Sequence, residues 1–201
     1  MSGTSYPQAP WHLVGQMWGT LFAVRGGSGR PGALYAAAFV SYEPGSPLTY
    51  SELLVARLLG GTRVEITDIW VDSPASRAGG RELWAIPKEL AGLRVDTSRT
   101  AGLLHTAWTA QVPTGSPSPG TVTAQFTAPS RAGVRLPLRG RTRQPALAGG
   151  GPVRTAPIRG SAEVGPCRAH WDLDAEGPLG WLHEARQLGS FRLRDFRLSF
   201  G

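Results

Sequence analysis

One lysine stands in a chain of 201 residues that carries 20 arginines. It is Lys88, in the stretch "GGRELWAIPKEL" (79–90). Both residue types supply positive charge, but only the lysine amine sheds its proton when desolvated and then attacks a carbonyl. Leu83, Trp84, Ile86 and Leu90 are apolar enough to supply that desolvation. The residues alone leave two readings open, an ordinary surface lysine and a nucleophilic amine. Glu52 is the second candidate. It is flanked by Tyr50, Leu53 and Leu54 and is the only charge between Glu43 and Arg57. Such a carboxyl is either a proton shuttle or a half-exposed strand residue. Arg81 and Glu82, beside Gly79-Gly80, complete a candidate pocket with Trp84 and Ile86. One of the two charged residues reads as a structural ion-pair member, and as neighbours on an extended segment they point opposite ways.

Other chemistries find little support. His12, His105, His170 and His183 are scattered singly, with no HxH, HExxH or CxxC spacing for a metal. "GGSGRPG" (26–32) lacks the GK[ST] of a phosphate loop and reads as a turn, and no GxSxG elbow is present. Cys167 is the single cysteine, so no internal disulfide is expected. No metal or cofactor is called for.

The elements that must position these residues are short and divided by 27 glycines and 17 prolines. That punctuation argues for a mainly antiparallel sheet or barrel. "SELLVARLLGGTRVEITDIWVD" (51–72) reads as a hairpin turned at Gly60-Gly61, with a helix over 51–59 as the rival. "LLHTAWTAQV" (103–112) and "TVTAQFTAP" (121–129) read as strands around the loop "PTGSPSPG". In "RAGVRLPLRGRTR" the arginines at 131, 135, 139, 141 and 143 share one parity, with Val134, Leu136 and Leu138 on the other face. "LAGGGP" (147–152) is a loop, and the tail alternates with Phe191, Leu193 and Asp195 on one parity. "PKELAGL" reads as one short helix, with Pro87 at its first position and Lys88 in its first turn. There the helix dipole would lower the pKa of the amine. No internal repeat and no domain-scale linker interrupts the chain, which reads as one domain over 1–201.

Composition narrows the class. Apolar residues make up 41% and charged residues 17%, a globular balance. "MSGTSYPQAP" has neither a basic nor an apolar stretch of the kind a signal peptide needs. No apolar run approaches the ~20 residues of a membrane span. A cytoplasmic protein with no membrane partner is expected. The net charge of +7 comes from one segment, Arg131 to Arg159, with seven arginines and no acid. That segment contains no Phe, Trp or Tyr on which bases could stack. It reads as a surface strand, an oligomer contact or an anion-facing wall rather than a nucleic-acid site.

"IWVDSPASRAGGRELWAIPKELAGLRVD" (69–96) resembles the signature region of the acetoacetate decarboxylase family. In that family an aspartate-ended strand precedes Gly-Arg-Glu, an aromatic step and Pro-Lys. "TYSELLVA" around Glu52 and the closing "GPLGWLHEARQLGSFRLRDFRLSFG" are compatible with it. The family is itself a known instance of a lysine activated by its surroundings. The resemblance implies a mainly β fold, an antiparallel barrel or cone with a flanking sheet and a few short helices. It also implies homo-oligomers and a small keto acid or ketone as substrate. Lys88 would be the Schiff-base nucleophile, with Glu52 in the active site. Decarboxylation is the simplest outcome, and a non-catalytic barrel that binds a small apolar or carboxylate ligand is the alternative.

The departures are specific. Glu89 follows Lys88 where well-studied members have a second lysine, and an anion there would raise the pKa of Lys88 if the side chains approach. Met17 falls near the arginine that the family places by the substrate carboxylate. "LYAAAFV" (34–40) has no acid where a second active-site glutamate is expected. The arginines between 131 and 143 are the candidates to replace the missing cation.

Overall fold

The computed structural model describes residues 4–27, 29–115 and 118–201. The opening residues MSG, one position of "GGSGRPG" and two of "PTGSPSPG" therefore lie outside the described residues. Four long strands come first: β1 (Trp11–Val24), β2 (Ala33–Tyr42), β3 (Tyr50–Leu58) and β4 (Arg63–Val71). A helix, α1 (Pro74–Trp84), and a two-residue strand, β5 (Glu89–Leu90), follow. Then come β6 (Gly92–Thr100), β7 (Leu103–Val112), β8 (Gly120–Pro129), β9 (Val134–Gln144), β10 (Arg154–Leu173) and β11 (Arg186–Phe200), with a single 3-10 turn at Gly180–Leu182. No helix among the described residues is long and apolar enough to cross a membrane.

The strands close a barrel. Its order is β11-β1-β2-β3-β4-β9-β10, and β10 pairs back onto β11. Every seam is antiparallel except β4–β9, where only Arg63↔Arg141 and Val64↔Thr142 pair, in parallel. The far half of the 20-residue β10 leaves the barrel and pairs β8 at residues 168–173, founding a flanking sheet β10-β8-β7-β6. The expected hairpin over 51–72 is β3–β4, turned through Gly60 (φ 86°) and Gly61 (φ 59°). Two glycines with positive φ suit such a turn, and the rival helix over 51–59 does not form.

Alternation along the strands divides the apolar residues between two cores. On β2, Ala37 and Phe39 face the flanking sheet, while Val40 belongs to the barrel interior. Between barrel and flanking sheet, the Phe39 ring stacks on Trp108 and Trp171, with centroids at 5.1 and 5.5 Å. Inside the barrel, Trp84 meets Trp11 and Phe200 edge-on, at 5.0 and 4.7 Å.

Three sequence expectations are corrected. The helix near the lysine spans Pro74–Trp84, upstream of "PKELAGL", with Ser73 as its cap and Pro74 in its first turn. Lys88 lies after it on an extended segment, and its amine reaches back to Ser76 in the first turn of α1. Arg81 and Glu82, read above as neighbours on an extended segment, lie in this helix, and Gly79 and Gly80 beside them are inside it for packing reasons. A Cβ on Gly79 would meet Trp11 at 2.7 Å, and one on Gly80 would meet the Lys88 stem at 2.7 Å. Second, Val134 and Leu136 share parity with the buried Thr142 but remain 67% and 45% exposed, because β9 runs past the packed part of the barrel. Third, the alternation of the tail breaks at Asp195 (φ 42°), where the register shifts and leaves both Leu193 and Phe196 buried.

Gly79→Ala tests this packing. Alanine gains helix propensity of about 1 kcal/mol, but its methyl must displace a core indole, so a net loss of about 1–2 kcal/mol in urea unfolding is expected.

Candidate functional site

The weak β4–β9 seam is where α1 and the segment after it complete the wall. Only the ends of β4 pair on that edge, with β9 at residues 63–64 and with β5 at 70–71. The Gln144 amide donates to the Ile66 carbonyl between them, at 3.3 Å. Arg154 of β10 donates to the Glu82 and Leu83 carbonyls, a cation at the negative end of the helix. The helix stops at Ala85, in the left-handed conformation (φ 56°), and the Ile86 amide bonds back to the Gly80 carbonyl at 3.0 Å. This abrupt stop turns the next residues inward. Trp84, Ile86 and Lys88 all line a cavity of about 230 Å³ inside the barrel.

Within it the Lys88 amine is 4% exposed and meets three oxygens. Nζ donates to Glu52 Oε2 at 2.8 Å, Ser76 Oγ at 2.9 Å and the Tyr50 hydroxyl at 3.2 Å. Three acceptors match the three N–H groups of an ammonium, whereas a neutral amine has two. Glu52, also buried, accepts a further bond at Oε1 from the Tyr42 hydroxyl at 3.1 Å, and the Tyr42 and Tyr50 rings stack at 4.4 Å. Tyr50 and Glu52 are two apart on β3, so both side chains leave the same face of the strand.

The electrostatics correct the expectation of a depressed lysine. Burial, the largest influence, pulls the Lys88 pKa down, but the Glu52 carboxylate and the Tyr50 oxygen together outweigh it, and the result lies above the ordinary lysine value. The stabilisation from this raised pKa is complete below the unfolded lysine value and is lost as pH rises through the folded one. Burial, reinforced by the charge on Glu52, holds the Tyr42 phenol well above its usual range. Burial also raises Tyr50, with Lys88 opposing the shift. Both phenols are neutral at physiological pH. Removing one member of a buried pair strands the other, which costs about 3–5 kcal/mol.

Of the six residues singled out in the sequence, Lys88, Glu52, Trp84 and Ile86 converge on this cavity. Arg81 and Glu82 do not line it. They lie on α1 and point away, Arg81 to the Lys88 carbonyl and Glu89 Oε1 at 3.1 and 2.6 Å, Glu82 to the Tyr6 hydroxyl at 2.7 Å. Arg81 thus anchors the backbone that carries the amine. Glu89 faces outward between Arg77 and Arg81, so it is not the anion that raises Lys88. Among the described residues no arginine lines the cavity, so the 131–143 candidates are also overturned, because their parity points out of the barrel. Met17, Ala36 and Ala38 do line it. Sequence reasoning missed Ser76 and the role of Tyr42. Tyr50 entered the sequence reading only as a neighbour of Glu52, and nothing local marked Ser76, whose position depends on the helix. Among the described residues, no three His, Cys, Asp or Glu side chains come together as a metal site.

No protein-family model matches the chain. No curated protein matches it significantly. Solved structures do. An acetoacetate decarboxylase superposes with a TM-score of 0.60 at 15% identity, covering 97% of this chain and 88% of its own. The enduracididine biosynthesis enzyme MppR, in complex with pyruvate, gives 0.57 at 17% identity, covering 98% and 89%. An acetoacetate decarboxylase-like enzyme from Sphingomonas wittichii gives 0.54 at 14% identity, covering 99% and 97%. The chain has the acetoacetate decarboxylase-like fold, mainly β, with a barrel, a flanking sheet and few helical turns.

Glu52→Gln removes the charge that holds the proton on Lys88, so burial should then dominate and the amine pKa should fall below the ordinary lysine value. As Lys88 is the only lysine, the pH dependence of its labelling by a small acylating reagent, read by mass, measures this directly. An unchanged midpoint would show that Glu52 is not the source of the shift.

Proposed function

We propose that this protein is an imine-forming enzyme of the acetoacetate decarboxylase-like type, in which Lys88 is the nucleophile toward a keto acid or ketone. The observation that carries the reading is a single buried amine, hydrogen-bonded to a buried carboxylate, at the wall of an otherwise apolar cavity. The resting pair is an ammonium and a carboxylate, so the first step is proton transfer from Nζ to Glu52 over their 2.8 Å hydrogen bond. The freed amine, still donating to Ser76 and Tyr50, adds to the carbonyl carbon. A proton moves from nitrogen to oxygen and gives a carbinolamine. Glu52 returns its proton to the departing hydroxyl, which leaves as water, and an iminium remains beside the carboxylate.

The iminium is an electron sink. From a β-keto acid the bond to the carboxylate breaks and carbon dioxide leaves. From a ketone an α-proton passes to Glu52. Either route yields an enamine, which is reprotonated at carbon and hydrolysed by water to restore Lys88. A non-catalytic barrel is the competing reading, favoured by one observation: all three ammonium N–H groups are already engaged and the pKa is raised. No cofactor enters either reading.

Borohydride reduction separates the two. With a panel of ketones and keto acids, reduction should fix the substrate skeleton to Lys88 as a stable mass increment, absent from Lys88→Met. If no carbonyl compound in the panel gives such an increment, the enzyme reading fails and the binding barrel stands.

A further inference from the structure

The charge inventory of the cavity points to the kind of carbonyl compound it accepts. Its polar lining consists of Lys88, Glu52, Tyr42, Tyr50 and Thr142, and the rest is hydrocarbon, thioether or indole. Lys88 and Glu52 neutralise each other at 2.8 Å. No second cation faces the cavity. A keto acid would therefore bring a carboxylate with nothing to pair it. After iminium formation one positive charge would face two negative ones, Glu52 and the substrate, in a space walled mostly by apolar side chains. Burial of an unpaired carboxylate is strongly unfavourable. An uncharged ketone leaves one positive and one negative charge, as in the resting site.

Size and shape agree. The cavity, about 230 Å³, is half as large again as the ~150 Å³ space that takes up benzene, which corresponds to roughly nine non-hydrogen atoms. Its depth is made by small side chains. Ala36 and Ala38 on β2 are cavity-lining alanines on one parity, opposite Leu21 and Gly19 of β1 in the sheet. Larger residues there would fill the space.

Building on the proposed role of Lys88, we propose that the substrate is an uncharged ketone or aldehyde with an apolar body of medium length, and that carboxylate-bearing keto acids are disfavoured. The amine end of the cavity takes the carbonyl, and the wall of Met17, Ala36, Ala38, Ile66, Ile158 and Leu198 takes the alkyl or aryl body. With no carboxylate to lose, the bond broken beside the iminium is an α C–H bond, its proton passing to Glu52 and its electron pair into the enamine. In D2O the ketone then returns with deuterium at its α-carbon.

The test uses two compounds of the same length, 2-octanone and 2-oxooctanoate, with the full-length protein. Binding is read by tryptophan fluorescence, since Trp11 and Trp84 line the cavity, and imine formation by borohydride trapping at Lys88. The expected result is at least tenfold tighter binding of 2-octanone and an increment on Lys88 with it, with little or none from the keto acid. Ala38→Leu should abolish trapping of 2-octanone and keep that of acetone. Equal or tighter binding of 2-oxooctanoate, or no binding of either compound, overturns the inference. Retention of 2-octanone trapping by Ala38→Leu overturns the placement of the apolar body. Binding of 2-octanone without any increment removes the imine reading and leaves the preference for uncharged ligands standing, so the two failures are distinguishable.

Discussion

The Lys88–Glu52 pair is the interaction around which the barrel interior is arranged. Two opposite charges at 2.8 Å, both nearly shut off from solvent, are tolerable only if every remaining donor and acceptor is met. The structure meets them from three elements. β2 and β3 supply the two tyrosines, and α1 supplies the Ser76 hydroxyl. The helix in turn needs Gly80 where the lysine stem crosses it and Gly79 where Trp11 presses on it. Outside, Arg77 and Arg81 clamp Glu89 and keep the following residue from competing for the amine. The helix is thus a set of close contacts built around one methylene chain.

That arrangement explains why parts of the site were legible in the sequence and others were not. The lone lysine and the isolated Glu52 stood out by composition, because a chain that meets its other needs with arginine has a chemical reason to keep an amine. Tyr50 stood beside Glu52 in the sequence, but their common face is visible only once β3 has formed. The hairpin over 51–72 and the strands near 103–112 and 121–129 followed from turn glycines and alternation, which are local signals. The pKa direction was not local. Burial was foreseeable from Trp84 and Ile86, but the partner that reverses its effect comes from a strand 36 residues earlier. The extended reading of Arg81 and Glu82 fails because α1 packs Gly79 and Gly80 against Trp11 and the Lys88 stem, contacts that no local signal carries. The outward turn of Glu89 depended on two arginines that reach it only once α1 has formed.

The distribution of charge follows the same division between inside and outside. Arg135 binds Asp195 at 2.6 Å, and Arg154 closes the end of α1. The arginine-rich hairpin thus serves the outside of the barrel, and its alternation sends Thr142 and Ile158 to the lumen. The inside is left with one cation and one anion. Met17, Ala36 and Ala38 stand on the cavity wall, so the barrel encloses a largely apolar chamber.

The two-pair contact between β4 and β9 has a consequence for how the molecule comes apart. A barrel whose seams are long except at one place opens there first, since two residue pairs resist separation far less than the seven and eleven on the adjoining seams. The piece that covers this gap is the one that holds the amine against Glu52. Local opening would therefore hydrate the ion pair before the aromatic layer between barrel and flanking sheet is disturbed. In such a molecule the chemistry-bearing cluster sits at the least-paired seam of the barrel, so separation at that seam exposes it while most of the β-sheet is still intact.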